Sequence, residues 1–259
     1  MIKCFYANRK KNFGDELTPI IIKWISGQDS QFVKKTVSGK LLCIGSGMNT
    51  CTRPNDIVWG YGSREMEKFG KIKYADTVTF LDVRGKWTRK NILESYPDAH
   101  VPEIYGDPAM LMPEIYQPKS KEKEYDVGLI AHYIDRKRFK CLSPRILNIN
   151  VLGNVYDTID KINKCKVIVS TSLHGTIVSE AYGIPVVWLK VSDRILGGHF
   201  KFNDYFSGTG RDEQFPVDFT NKKLIKSKHI FKIIKKTLPT PIINTEPMKK
   251  AWKEYYNDT

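Results

Sequence analysis

VIVSTSLHGTIVSEAYGIPVVWL, residues 167–189, has the pattern of a buried strand, a polar turn, a helix and a second strand in one continuous run. The β-branched residues 167–169 predict the first strand. The hydroxyl-rich residues 170–172 predict the turn, and a helix is expected over 175–182 because Gly183 can end it. Such a unit is typical of an open α/β protein with a parallel sheet.

His174 lies in the predicted turn of this stretch, between the first strand and the helix. Ligands of open α/β proteins bind beyond the carboxyl ends of the strands, and the free N–H groups at a helix start attract anions. An imidazole titrates near neutral pH, so His174 is a candidate general acid or base. A surface or core histidine without a catalytic role is the alternative interpretation.

Composition restricts the class of protein. The 259 residues carry a net charge of +14 and are 41% hydrophobic, enough for one large core or two smaller ones. No apolar stretch approaches the roughly 20 residues of a membrane span, and no hydrophobic signal core precedes the first charges, so a cytoplasmic protein is expected. The five cysteines are scattered without a CxxC pair, and the histidines lack metal-binding spacing; neither a metal nor a cofactor is predicted.

The positive charge predicts an anionic partner, which could be a nucleic acid, a membrane surface or a small acidic substrate. Much of the excess lies in residues 221–236, NKKLIKSKHIFKIIKK, where apolar residues recur at roughly helical spacing. Two interpretations remain open: a packed helix with a solvated lysine face, or peripheral contact with an anionic membrane that carries a lipid-linked substrate.

Alternating apolar runs and helical patterns predict two series of βα units. A proline-containing, charged stretch at 113–124 separates the two series and is expected to be an exposed linker. The expected strands are 2–6, 41–44, 57–59, 78–83 and a short one near Ile104 in the first series, and 127–131, 146–152, 167–169 and 185–189 in the second.

The predicted fold class is therefore α/β, with two Rossmann-like lobes of mainly parallel sheet that face each other across a cleft. The lobes are expected at 1–115 and 125–240. Residues 241–259 predict a last helix, capped by Thr245, that packs back onto the N-terminal lobe. Its apolar stripe consists of Met248, Trp252, Tyr255 and Tyr256.

Several polar residues and glycines follow the predicted strands, where the cleft would lie. The sequence NFGDEL follows the first strand and contains Asn12, Gly14 and Asp15. Caps and turns explain any one such residue about as well as a functional role does. The others are Gly45 and Ser46 after the second strand, Arg84, Asp107 near the end of the first lobe, and His132.

The chain resembles the polysaccharide pyruvyl transferases, in particular the branch that forms pyruvate ketals on exopolysaccharide sugars. The resemblance covers most of the chain. Its seven motifs, in order, are NFGDEL (12–17), IGSG (44–47), VRGKWT (83–88), YGDPAMLMP (105–113), VGLIAHYID (127–135), STSLHG (170–175) and FKFNDYF (200–206).

The resemblance implies a glycosyltransferase-B-like fold and transfer of pyruvate from phosphoenolpyruvate to two hydroxyls of one sugar. It implies that the N-terminal lobe holds the acceptor and the C-terminal lobe the donor. The essential histidine of the family matches His174, and its neighbours Ser172, Leu173 and Gly175 are expected to bind the donor. The arginine thought to hold phosphoenolpyruvate matches Arg84. Many relatives have arginine where this chain has Ser172.

Other charged and aromatic residues of the matched motifs are candidates for the remaining roles. Lys190, Arg194 and Lys201 are candidates to replace the missing arginine. Asp15, Asp107 and Asp204 could orient the acceptor or take its proton, and Tyr205 is expected to line the cleft.

Two other functions remain as alternatives. A glycosyltransferase that uses a nucleotide sugar would have the same two lobes and a basic cleft. A nucleic-acid-binding protein would explain the charge, although no nucleic-acid-binding motif is present.

Overall fold

Two five-stranded parallel sheets form the framework of the protein. The computed structural model describes residues 1–8 and 10–257. In the first sheet, of strand order β2-β1-β3-β4-β5, the strands are β1 (Ile2–Phe5), β2 (Ser30–Phe32), β3 (Leu41–Leu42), β4 (Ile57–Val58) and β5 (Thr79–Phe80). The helices between and after them are α1 (Phe13–Ser26), α2 (Met48–Cys51), α3 (Met66–Phe69), α4 (Lys86–Ser95), a 3-10 helix (Pro108–Leu111) and α5 (Met112–Ile115).

The second sheet has the order β11-β10-β9-β6-β8, and two short strands outside it, β7 and β12, pair with each other. The strands are β6 (Tyr125–Ile130), β7 (Phe139–Lys140), β8 (Ile146–Ile149), β9 (Cys165–Ser170), β10 (Val186–Lys190), β11 (Val217–Asp218) and β12 (Ile225–Lys226). The helices are α6 (Val155–Asn163), α7 (Leu173–Ala181), α8 (Gly198–Gly208), α9 (Ser227–Phe231) and α10 (Glu246–Asn257), with a 3-10 turn at Arg136–Arg138.

The expected α/β class with two Rossmann-like parallel sheets is confirmed, but element bounds differ. The expected strand near Ile104 is reduced to a single bridge between Val83 and Tyr105. The edge strand β2 was not predicted, because its residues are mostly exposed and lack an apolar pattern. Pro113, expected in a linker, lies in α5.

The helix that carries the central motif begins earlier than the sequence predicts. Ser172 is the N-cap of α7, and its hydroxyl accepts a hydrogen bond from the N–H of Gly175 at 3.4 Å. Serine is favoured at this position because it satisfies a free N–H of the first turn. His174 is therefore a residue of the first helical turn and not of the preceding loop.

The last helix joins the two lobes. One hydrophobic cluster contains residues of both sheets together with Met248 and Trp252 of α10. The indole N–H of Trp59 donates to the carbonyl of Met248 at 3.0 Å, and the rings of Trp59 and Trp252 lie 4.7 Å apart. Thr245, expected to cap α10, directly precedes it: its carbonyl accepts from the N–H of Lys249 at 3.1 Å, and its hydroxyl donates to Glu114 at 2.8 Å.

The lysine-rich segment 221–236 is not one continuous helix. It contains β12 and the short α9, and the apolar side chains of Ile225, Ile230 and Ile233 are buried beneath exposed lysines. Across residues 1–8 and 10–257, no helix is both long and apolar enough to cross a membrane. All five cysteines are buried and free.

Candidate active site

The first turns of α1 and α7 meet at Gly14 and His174. A Cβ atom at position 14 would lie 2.4 Å from the Nδ1 of His174, closer than any side chain could approach. Glycine at this position therefore lets the imidazole pack directly against the N-terminal turn of α1. The two predicted motifs NFGDEL and STSLHG form one site because these helix starts are in contact.

His174 faces a buried carboxylate on its other nitrogen. Its Nε2 lies 3.7 Å from the Oδ2 of Asp107, and the side chains are 13% and 0% exposed. Neither atom has a hydrogen-bond partner among the described residues. The other oxygen of Asp107, Oδ1, accepts from the N–H of Ala109 at 3.0 Å and caps the 3-10 helix. The cap orients the carboxylate toward the imidazole.

Asp82 is a second buried carboxyl group near this pair. Burial, and then the neighbouring charge of Asp107, raise the pKa of Asp82 well above its usual value. Its side chain is fully buried. Burial and a neighbouring carboxylate both disfavour the charged form of this group.

Asp15 lies in the first turn of α1, beside Gly14. Asn12 caps this helix, and its side-chain amide donates to the Oδ2 of Asp15 at 3.2 Å. Burial raises the pKa of Asp15 to about 6, while the charges of His174 and Lys201 and the bond from Asn12 act in the opposite direction. Asp15 is ionised at neutral pH but can accept a proton at little cost.

Two cations near the junction of the lobes are not neutralised. A Cβ at Gly197 would lie 3.2 Å from the Cγ of Arg64 and 3.5 Å from the Cδ of Lys201. Within residues 1–8 and 10–257 neither side chain forms an ion pair, and the Nε of Arg64 is buried without a hydrogen-bond partner. Burial, followed by the charges of Arg84 and Arg64, lowers the pKa of Lys201 to about 7. A site of this kind gains stability when an anion enters it.

His132 lies close to the same group of charges. Burial and the charge of Lys201 lower the pKa of His132 to about 4, so its imidazole is neutral. Its Nδ1 accepts from the N–H of Ile134 at 3.3 Å, and its backbone N–H donates to the hydroxyl of Thr171 at 2.8 Å. His132 can therefore form a hydrogen bond with a ligand but carries no charge at neutral pH.

Arg84, expected to clamp the donor anion, is buried and paired inside the protein. Its Nε donates to the Oδ2 of Asp204 at 2.8 Å, and both side chains are fully buried. Its remaining nitrogens donate to the hydroxyl of Ser46 and to the carbonyls of Gly45 and Ser63. Four hydrogen bonds hold the guanidinium within the protein, and Asp204 and Ser46, expected in the cleft, are two of its partners.

Several other residues expected at the donor or in the cleft are buried in the structure. Leu173 is in the core, and a Cβ at Gly175 would lie 2.7 Å from Ile130, so both serve packing. Tyr205 is fully buried, with Arg211 over its ring at 5.3 Å, and does not line a cleft. The N-cap role of Ser172 occupies its hydroxyl.

Two of the proposed replacement cations are already paired. Lys190 lies 2.7 Å from Asp193, and Arg194 lies 2.8 Å from Asp135. Of the three candidates, Lys201 alone forms no ion pair among the described residues, and it acts on Asp15 together with His174. Among the described residues, no group of three or more histidine, cysteine or carboxylate side chains could hold a metal ion.

Sequence reasoning missed Arg64 and Asp82. Neither lies in one of the seven motifs: Arg64 follows a short strand by several residues, and Asp82 is inside an apolar run. A charged residue within the run TFLDV was the one available signal for Asp82, because such a residue is rarely buried without a role.

Comparisons with known proteins identify the family of this chain. The model of the family described as polysaccharide pyruvyl transferase matches residues 12–193. The chain is 24% identical to the succinoglycan biosynthesis protein ExoV of Rhizobium meliloti (strain 1021), over 86% of this chain and 70% of that protein. It is 34% identical to the uncharacterized protein L143 of Acanthamoeba polyphaga mimivirus, over 51% of this chain. The matched region covers 49% of the mimivirus protein, about half of its length.

Among solved structures, the chain is similar to a functionally uncharacterised protein of Klebsiella pneumoniae. The TM-score is 0.47 and the sequence identity 14%, over 87% of this chain and 92% of that one.

Proposed function

This chain belongs to the polysaccharide pyruvyl transferase family, and from that premise we propose that it transfers pyruvate from phosphoenolpyruvate to a sugar as a cyclic ketal. The family supports the class of transferase. The chemistry of the side chains that surround His174 supports phosphoenolpyruvate as the donor and a ketal as the product.

The reaction places defined demands on a site. The methylene carbon of the enol phosphate gains one proton, which makes the central carbon electrophilic. Two sugar hydroxyls bond to that carbon, and its bond to the phosphate oxygen breaks. The two sugar hydroxyls lose two protons in total. One equals the proton gained by the methylene carbon, and the other is carried by the released hydrogen phosphate. The site must supply an acid, a base and cations for a carboxylate and a phosphate.

Arg64 and Lys201 are the cations that suit the donor. Both lie beside Gly197 and lack a carboxylate partner among the described residues, whereas Arg84 is neutralised by Asp204. An arginine fork matches a carboxylate or a phosphate with two parallel hydrogen bonds. The N-terminal end of α7, close to His174, adds a partial positive charge.

His174 and Asp15 suit the proton transfers. We assign His174 as the acid that protonates the methylene carbon, with Asp107 stabilising its protonated form. Asp15 then takes the proton of the attacking hydroxyl, since its pKa of about 6 leaves it ionised yet basic at neutral pH. The raised pKa of the buried Asp82 favours Asp107 as the charged partner of the imidazole.

The observation that carries the proposal is the meeting of α1 and α7, which brings His174, Asp15 and the unpaired Lys201 within electrostatic reach of each other. An acid, a base and a cation from three separate motifs converge there. The acceptor is expected to be a sugar or glycan, free or lipid-linked.

Phosphate release from phosphoenolpyruvate tests the proposal directly. The protein is incubated with phosphoenolpyruvate and a panel of galactosides, glucosides and mannosides, and product is detected by the mass gain of the acceptor and by NMR. His174→Ala should reduce the rate by about 10²- to 10⁴-fold. The exposed His100 supplies the matched control, because His100→Ala should leave the rate unchanged. Full activity of His174→Ala would remove this residue from the mechanism.

The ligand that the protein binds distinguishes a pyruvyl transferase from a glycosyltransferase that uses a nucleotide sugar. A ligand that binds only the native state raises thermal stability. Stabilisation by phosphoenolpyruvate is expected. Stabilisation by nucleotide sugars without any by phosphoenolpyruvate would instead identify a glycosyltransferase.

A further inference from the structure

A cavity of about 650 Å³ lies between α3 of the first lobe and the β10–α8 region of the second. Its volume is within the range of pockets that hold small molecules. Thr171, three residues before His174, contributes to its wall, and so does Gly197, which also contacts Arg64 and Lys201. The cavity therefore opens beside the cationic group but has a different lining.

Aromatic rings form one wall of this cavity. Trp188 stacks on Phe202 with ring centres 4.6 Å apart and on His199 at 5.8 Å. His199 in turn lies 5.3 Å from Phe215, whose side chain is 75% exposed. Leu196, also in the lining, is 61% exposed. A supported aromatic ring with an open face is suited to the flat C–H face of a pyranose ring.

The charges in the cavity lining favour an uncharged ligand over another anion besides the donor. The lining contains three carboxylates and two lysines, and each lysine is already paired: Lys68 with Glu65 at 3.4 Å and Lys190 with Asp193 at 2.7 Å. No cation of the described lining is left for a phosphate. Carboxylates at the rim can accept hydrogen bonds from sugar hydroxyls.

We propose that this cavity is the acceptor subsite and that it binds a neutral hexopyranose unit with its apolar face on Phe215. The inference rests on the proposed function, since it supplies the hydroxyls that attack the donor. Cations beside Gly197 hold the anionic donor on one side, and the aromatic wall holds the uncharged acceptor on the other. On this assignment the acceptor lies mainly against the second lobe, whereas the resemblance implies the first, and Lys190, expected to bind the donor, lies on the acceptor side as the partner of Asp193.

Phe215→Ala tests the proposal with little risk to the fold, because most of this side chain is exposed. The KM for the acceptor should rise about 3- to 10-fold, as expected for loss of one aromatic contact, while the KM for phosphoenolpyruvate stays unchanged. Phe215→Trp keeps an aromatic face and should retain a KM near that of the unaltered protein. Leu142→Ala, at a residue 79% exposed and outside the cavity, is the matched control.

Direct binding separates this inference from the proposed function. Saturation-transfer NMR with methyl galactoside, glucoside and mannoside should detect binding of at least one glycoside to the full chain without phosphoenolpyruvate, and Phe215→Ala should weaken it. Binding of this kind without phosphate release would retain the subsite and reject pyruvyl transfer. If Phe215→Ala releases phosphate normally and changes neither the acceptor KM nor glycoside binding, the subsite is wrong and the proposed function is retained. If the protein bound uridine monophosphate and no glycoside, and Phe215→Ala abolished that binding, the cavity would be a nucleotide site and the proposed acceptor subsite would be wrong.

Discussion

The Nε2 of His174 and the Oδ2 of Asp107 lie 3.7 Å apart, and neither atom has another hydrogen-bond partner among the described residues. The carboxylate comes from the end of the first lobe and the imidazole from the second. This pair exists only when the two lobes are packed together. In the proposed mechanism the carboxylate stabilises the imidazolium that donates the proton.

Asp107→Asn should lower kcat on the order of 10²-fold or more, because the neutral amide cannot stabilise a charged imidazole. Asparagine still accepts from the N–H of Ala109, so the cap of the 3-10 helix and the thermal stability should be preserved. Steady-state phosphate release and thermal unfolding measure the two effects. Asp98→Asn, at an exposed position, is the control. A normal kcat with reduced stability would make Asp107 a structural cap only.

Gly14→Ala should displace the imidazole of His174, because the added Cβ would lie 2.4 Å from Nδ1. A displacement of about 1 Å can reduce a rate about 10²-fold, and the overpacking costs about 1–3 kcal/mol of folding free energy. Both kcat and the urea midpoint should therefore fall. A Cβ added at Gly153 would lie 3.4 Å from its nearest neighbouring atom, an ordinary contact, and Gly153→Ala should leave kcat unchanged. Normal kcat in Gly14→Ala would contradict the close packing of the two helix starts.

The affinity for phosphoenolpyruvate should fall as the pH rises through about 7. The pKa of Lys201 is lowered to about 7, so its ammonium is present below this pH and is lost above it. The pH profile of kcat/KM reports groups of the free enzyme, and it should decline above neutrality. Lys201→Arg keeps the charge and should flatten this decline, while Lys201→Met should raise the KM for phosphoenolpyruvate most strongly below pH 7. Identical profiles for the arginine variant and the parent protein would exclude Lys201 as the titrating group.

Arg84→Met should destabilise the protein by about 3–5 kcal/mol, because it leaves the buried carboxylate of Asp204 without its partner. Asp204→Asn should be milder, since the amide oxygen still accepts from the N–H of Thr88. Urea unfolding measures both variants. Arg89→Met, at a partly exposed pair with Glu103, should change stability by about 1 kcal/mol or less. A stable Arg84→Met with a raised KM for phosphoenolpyruvate would restore the donor-clamp interpretation.

Local sequence patterns predicted the framework correctly. The alternation of apolar runs with helical patterns predicted an α/β protein with parallel sheets, and the caps at Asn12 and Ser172 occur at residue types that favour helix starts. The ordered motifs identified the family, which the family model confirms over 12–193. These signals are local because backbone preferences and hydrophobic periodicity act over a few residues.

The tertiary structure alone decided which charged groups are free. Arg84 and Asp204 are 120 positions apart, and no spacing rule predicts that they neutralise each other. Arg64 and Lys201, which interact with each other, form no ion pair among the described residues, although neither stands out by residue type. Charge and hydrogen-bond partners depend on which surfaces are removed from water when the lobes pack. That information resides in long-range contacts and not in the local pattern of residues.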